Sequence, residues 1–292
     1  MVSVFLLGIA ITVSVPQDAK DIEREYHRRI RAADADSSTS EERYHAAEAA
    51  RYMRRFDEAR FYLRIAELAA TTEGDRNGIL TEKLSLELAT GGGVDGLQKV
   101  FAEELRQRNF PPVVIAGWVD AFPELLVGGQ FDEMIDSLTE DAADEQYRCA
   151  CYAPKAWMHR AAGRMDRSRA YWDSLTTAWQ RVPNFRDPFN EADWRAQLAR
   201  NFARAGHVDR SRAELERAMT VDLSAFESIF IRRRRAQTYA ELGYVGYAVA
   251  DLEYLLSVPS PVTVYTLASR LTWSGIRDHP RFRALLEKQR LE

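Results

Sequence analysis

From residue 17 onward, apolar residues recur at helical spacing and polar residues fill the positions between them. In "AKDIEREYHRRIRAA" Ile22, Tyr26 and Ile30 stand four apart on one stripe with charge around the rest, as an amphipathic surface helix requires. "DADSSTSEE" reads as a loop closing in a capping box, because Ser38 and Glu41 have N-cap and N3 spacing. No stretch alternates apolar and polar positions with β-branched enrichment over several residues. The pattern predicts an all-α chain.

One helical pattern is written more than once. "ARNFARAGHVDRSRAELERAM" (199–219) and "AQTYAELGYVGYAVADLEYLL" (236–256) each begin with a small residue (Ala199, Ala236) and place an aromatic three later (Phe202, Tyr239). A glycine then breaks the run (Gly206, Gly243) and a branched apolar residue restarts it (Val208, Val245). Upstream, "RRFDEARFYLRIAELA", "GGGVDGLQKVF", "GGQFDEMIDSL" and "AGRMDRSRAYWDSL" repeat the turn and the helix opening. With Ala59, Gly96, Met134, Ser168, Ser211 and Ala248 as equivalent points, the intervals are 37, 38, 34, 43 and 37 residues. The longest interval contains "RVPNFRDPFN", a proline-bearing loop in which Asn190 is placed to cap the next helix. A helix–turn–helix unit recurring at this spacing is the signature of a helical solenoid.

The residue types follow from packing. Two antiparallel helices joined by a short turn must approach closely where they cross, which small side chains such as Ala199, Ser211, Ala236 and Ala248 permit. Phe202, Leu215, Tyr239 and Leu252 then fill the space between neighbouring hairpins, and glycine supplies positive φ where the first helix ends. One hairpin cannot bury its own apolar face, so at least about three must stack.

This spacing resembles the tetratricopeptide repeat, most clearly over residues 190–259 and in degenerate form over about 40–180. The resemblance implies a right-handed α-α superhelix of about six degenerate helical hairpins plus a C-terminal capping helix, one domain over residues 17–292. The final "WSGIRDHPRFRALLEK" is similar to the segment that closes tetratricopeptide arrays attached to bacterial Ser/Thr kinases and adenylate cyclases, through Trp273, Ile276, Arg277, His279, Pro280, Arg281, Phe282 and Leu285. Arg270-Leu271 stand where that segment carries Asp-Pro. Locally, Asp278 or His279 caps a last helix, Pro280 opens it, and Phe282, Leu285 and Leu286 dock it over the open apolar end of the solenoid.

The chain begins differently. "VSVFLLGIAITVSV" is a 14-residue apolar run, short of the about 20 residues a membrane helix needs. Three readings stay open: a signal sequence, although no Lys or Arg precedes it; the end of a truncated membrane helix; or a buried element. A membrane-linked origin is preferred, so residues 1–16 are set apart from the fold, and attachment to a membrane or export from a bacterium is expected ahead of a cytoplasmic location.

Composition narrows the chemistry. A net charge of −4 gives no electrostatic case for nucleic acid. Cys149 and Cys151 form a C-x-C whose disulfide would close a very tight ring, and with no second pair for zinc they read as free thiols. The histidines His27, His45, His159, His207 and His279 lie too far apart in sequence to share a helical metal site. "TGGGVDG" lacks the Lys-Ser/Thr of a phosphate loop and follows no strand. No catalytic residue, metal or cofactor is therefore expected.

The expected function is a non-enzymatic scaffold for a protein or peptide partner, the docking or sensory module of a bacterial signalling system. Arg200, Arg204 and Arg233 are expected toward the concave side, where ordinary ion pairing with Glu and Asp is the preferred reading and guanidinium forks holding a carboxylate or an acidic peptide are the functional one. Gln237 and Glu241 join them, because the copies disagree there: Arg200 against Gln237, and Arg204 against Glu241. The run Arg232–Arg235 cannot lie on one helical face. Trp157, Trp172, Trp179 and Trp194 read as core between repeats. Two alternatives stand beside this reading. One is an all-α enzyme in which Asp132, Asp136 and Glu87 converge in a concave pocket, and the other is a small-ligand sensor with a closed apolar pocket.

Overall fold

The computed structural model describes residues 17–291 apart from 36, 109, 111, 128–144, 182–184 and 186. Helix α1 (Gln17–Ala33) precedes a series of hairpins: α2 (Ser40–Tyr52) with α3 (Phe56–Ala69), and α4 (Glu73–Thr90) with α5 (Gly93–Gln107). Helix α6 (Pro112–Ala121) runs into a 3₁₀ turn at Pro123–Leu126. Three further hairpins follow: α7 (Glu145–Ala161) with α8 (Met165–Gln180), α9 (Pro188–Ala205) with α10 (Val208–Met219), and α11 (Ala225–Glu241) with α12 (Val245–Ser257). The chain finishes with α13 (Val264–Ser269), a 3₁₀ turn at Leu271–Trp273, and α14 (Pro280–Leu291). Among the described residues every regular element is helical, so the chain is all-α.

The turns repeat as closely as the helices. The same backbone bond, from the residue after the turn back across the last helical turn, closes all five described hairpins. It runs from Arg55 to Ala50 (2.9 Å), Gly92 to Glu87 (3.0 Å), Arg164 to His159, His207 to Phe202 and Tyr244 to Tyr239 (each 2.8 Å). Glycine holds the left-handed position at four of them: Gly91, Gly163, Gly206 and Gly243. At the first hairpin Arg54 takes that conformation itself, with φ 58°. Of the equivalent small positions, Ala59, Ser168, Ser211 and Ala248 are buried where their hairpins cross, while Met134 lies outside the described residues.

Two helix starts differ from the sequence reading. Helix α2 is capped by Thr39, whose Oγ1 accepts the Glu42 N–H at 3.1 Å while Glu42 accepts the Thr39 N–H at 2.7 Å. The box therefore sits one residue beyond Ser38 and Glu41, because both pairs satisfy the spacing and the packing of Ser40 against the Ala66 carbonyl selects the later one. Helix α9 is capped by Asp187, which accepts the Asn190 N–H at 2.7 Å, so Asn190 is the capped residue and not the cap.

The larger difference is at the ends. The C-terminal segment crosses to the first hairpins instead of covering an open terminus. The Ser260 N–H donates to the Tyr52 carbonyl (3.1 Å), Thr263 Oγ1 to the Ala89 carbonyl (3.3 Å) and Arg54 to the Leu256 carbonyl (2.9 Å). Helix α1 packs on α11, α13 packs on α4 and α5, and Tyr254 donates to Asp18. One apolar cluster accordingly joins Ile22 and Tyr52 from the beginning of the chain with Phe226, Leu252, Trp273 and Phe282 from its end. Phe282 and Leu285 do anchor α14, which rests on α12 and α13. Curvature from hairpin to hairpin has brought the two apolar ends together, where each covers the other. Among the described residues no helix is long and apolar enough to cross a membrane; residues 1–16 lie outside them.

Candidate functional site: an arginine-rich interior and an outer cleft

First helices of neighbouring hairpins meet in the interior, α2 against α4 and α9 against α11. Counting back equally from each turn, the inward register holds Glu48, Ser85, Trp157, Arg200 and Gln237. The five residues expected to form a groove come together at this interior. Arg200 and Arg204 are only 6% and 7% exposed. Arg200 donates to Gln237 Oε1 at 3.0 Å and to Gln197 Oε1 at 2.6 Å, both neutral acceptors. Burial, then the neighbouring Arg204 and Arg234, pull its pKa well below the usual arginine value.

Arg204 is held from three sides. Its Nε meets Glu241 Oε1 at 3.1 Å, and its guanidinium lies 4.5 Å from the ring centres of both Trp157 and Trp172. The other Glu241 oxygen accepts from Arg160 at 2.7 Å. Burial opposes the charge of Glu241, but Arg204 and Arg160 outweigh it and hold its carboxyl below the usual range. Trp157 and Trp172 meet edge to face at 5.7 Å within the core, whereas Trp179 and Trp194 are partly buried.

Arg233 has a different environment. Among the described residues it makes no hydrogen bond or ion pair, and its Nε is buried without an acceptor. Burial, reinforced by Arg234, Arg270 and Arg51 against the opposing Tyr52, pulls its pKa down to about 10, so it stays protonated at neutral pH. Its neighbours in the run are engaged: Arg234 with Asp193 at 3.1 Å, and Arg235 with Asp251 at 2.8 Å.

Four interior residues were invisible to the sequence reading. Arg51 forms a buried two-pronged pair with Glu82, at 2.5 and 2.9 Å. Burial works against the Arg51 charge, but Glu82 more than offsets it and raises its pKa. Arg270 donates to the Ala121 carbonyl and lies 3.7 Å from Glu124, which also accepts the Leu271 N–H at 2.6 Å. Their partners lie in other hairpins, and no local spacing encodes that. The only signal available was the inward register itself.

Several clefts open at the surface, and two of them lie between hairpins. One of about 570 Å³ between the first two hairpins has a charged rim that includes Arg60, Glu67, Lys83 and Glu87. Glu87 thus faces outward, and Asp132 and Asp136 lie outside the described residues. The second cleft, about 620 Å³, separates the α9–α10 and α11–α12 hairpins and is walled by Leu215, Met219, Tyr239, Tyr244 and Tyr247 with Arg212 at its edge. Cys151 is buried on α7. No group of three His, Cys, Asp or Glu among the described residues could hold a metal ion.

Compared with known proteins, the chain matches no family model, no curated protein and no solved structure.

Proposed function

We propose that this protein is a non-enzymatic scaffold of the tetratricopeptide type that docks a protein or peptide partner, serving as the docking or sensory module of a bacterial signalling system. The recurring hairpin, with its common turn bond and small crossing residues, supports the architectural part of this reading.

The outer cleft between the last two hairpins carries the functional part. Met219, Tyr244 and Tyr247 keep 40%, 37% and 68% of their surface in water, although a folded chain gains by covering such groups. Tyrosine and methionine are enriched at protein interfaces, and methionine adapts its shape to a partner. Arg212 and Glu216 both stand at the edge of the cleft, so its rim offers a charged group of either sign beside the apolar anchor.

A displayed-peptide selection on the full chain tests this. Peptides it yields are expected to bind a Met219→Glu, Tyr247→Glu double variant at least tenfold more weakly than the unaltered chain. Both positions are exposed, so the substitutions leave the fold intact. Equal binding to the double variant would remove the cleft, and with it this reading.

A further inference from the structure

We propose that the outer cleft between the last two hairpins receives an amphipathic helix of a protein partner, lying along α10 for about two turns. This rests on the docking role proposed above and names the kind of segment that docks.

The groove belongs to the repeat, but its chemistry does not. Helix α10 rests on α9 and α11, and α12 rests on α11 and α14, which leaves a groove over α11 walled by α10 and the start of α12. The groove between the first two hairpins is built in the same way from α3, α4 and α5, and the two volumes are alike, about 620 and 570 Å³. Counted from the same crossing residues and turn bonds, Glu67, Glu87 and Asp95 of the first groove correspond to Met219, Tyr239 and Tyr247 of the last. The first copy shows that the fold accepts carboxylates at all three places, so stacking of hairpins does not demand apolar groups there. Yet Tyr247 and Met219 keep 68% and 40% of their surface in water. Tyr239 stands between Tyr247 and Tyr244, with ring centres 5.3 and 6.4 Å away. Such a cluster gains by being covered.

The shape of the groove selects a helix. Arg212, Leu215, Glu216 and Met219 follow at i, i+3, i+4 and i+7 along α10, a stripe about 10 Å long at 1.5 Å per residue. A helix laid beside it places its own apolar side chains at the same spacing, over Leu215 and among the tyrosines. Its backbone stays at the mouth of the groove with the internal N–H and C=O groups paired within the helix. An extended segment would bring unpaired backbone groups against walls made of helices, which offer no open ladder. The volume agrees, because roughly 300–1,000 Å³ holds a drug-sized molecule and about three or four apolar side chains have that bulk.

Charge sets the register. Arg212 and Glu216 are exposed one helical turn apart on the rim, whereas Arg235 on the floor is engaged by Asp251 at 2.8 Å. The complementary helix carries an acidic residue over Arg212 and a basic one over Glu216, beside its apolar stripe. The opposite order sets like charges against each other.

Two displayed libraries of peptides, each roughly 16 residues or four helical turns long, test this on the full chain. Both randomise the same apolar and flanking positions. One has a helix-forming Ala/Gln background, and the other carries Pro-Gly at its centre, which breaks the helix. Binders are kept only if Met219→Glu combined with Tyr247→Glu weakens them at least tenfold. Such binders are expected from the helix-forming library. On a chain with Arg212→Glu and Glu216→Arg, both exposed positions, they should bind about tenfold more weakly until their own acid and base are exchanged. Cleft-dependent binders drawn equally from the interrupted library, or indifferent to the charge exchange, overturn the helix and leave the cleft standing. If neither library yields a cleft-dependent binder, the cleft reading falls and this proposal with it.

Discussion

Arg204 and Glu241 occupy the same place in successive hairpins, 37 residues apart, and meet as a buried ion pair 3.1 Å long. Arg200 and Gln237 repeat the relationship one helical turn earlier, again 37 residues apart, at 3.0 Å. The positions at which the two best-preserved copies disagree are therefore positions at which the copies touch. Had both copies carried arginine, two buried cations would face each other; the difference between the copies is what lets the hairpins stack.

Glu241→Gln is expected to lower stability by about 3–5 kcal/mol, because it strands Arg204 in a buried site and also takes the partner of the half-buried Arg160. Combining Arg204→Met with Glu241→Leu recovers much of that loss, since an apolar pair needs no counter-charge. Urea unfolding of the single and double variants provides the comparison.

Trp273 is nearly fully buried in the cluster that joins the two ends of the chain. Trp273→Ala should cost about 3–5 kcal/mol. Hydrogen exchange gives the more telling result: protection should fall in α2 as well as in α11, because both border that cluster. In an open array the loss would stay with the neighbouring hairpins.

Acid should weaken the fold through Glu48, which accepts from Arg29 at 2.8 Å and lies 3.6 Å from His45. Burial alone would raise its pKa, but His45, Arg29 and Arg51 overcome that and lower it from 4.5 to about 2. A carboxyl whose folded pKa lies below its unfolded value contributes its full stability above the unfolded pKa and loses it as pH falls through the folded one. Between pH 7 and pH 3 this group should account for about 2 kcal/mol of lost stability. Glu48→Gln should flatten the dependence of the urea midpoint across that interval.

Glycine at the turns can be tested where space is not at issue. A Cβ at Gly163 (φ 72°) meets nothing within 4 Å, and one at Gly206 (φ 93°) meets only Arg169 at 4.0 Å. Alanine at either position should cost about 1–2 kcal/mol from the left-handed backbone alone. At Gly91, where the Tyr265 ring lies 3.2 Å from the added atom, the loss should be larger, and Tyr265→Ala should remove the excess. Calorimetric Tm values separate the two contributions.

Much of the architecture was legible in the chain. The stripe of Ile22 and Tyr26, the small crossing residues Ala59, Ser211 and Ala248, and the breaks at Gly206 and Gly243 mark buried faces and turns where the structure has them. Cap assignments slipped by one residue at Thr39 and by three at Asp187, because neighbouring polar residues satisfy the same local spacing and packing chooses between them. The inward side of Arg200 and Arg204 could be expected from the repeat, but their partners could not. Arg51, Glu82, Glu124 and Arg270 gave no local sign of their role.

Helicity, hairpin length and turn position were determined by the sequence alone, because period, capping and glycine conformation act over a few residues. Tertiary structure decided that the ends of the chain meet, that Glu241 serves both Arg160 and Arg204, and that Arg233 has no ion-pair partner among the described residues. These outcomes depend on rotations that accumulate from hairpin to hairpin and on charges set far apart in sequence. Their energies exist only once distant helices exclude water from the space between them.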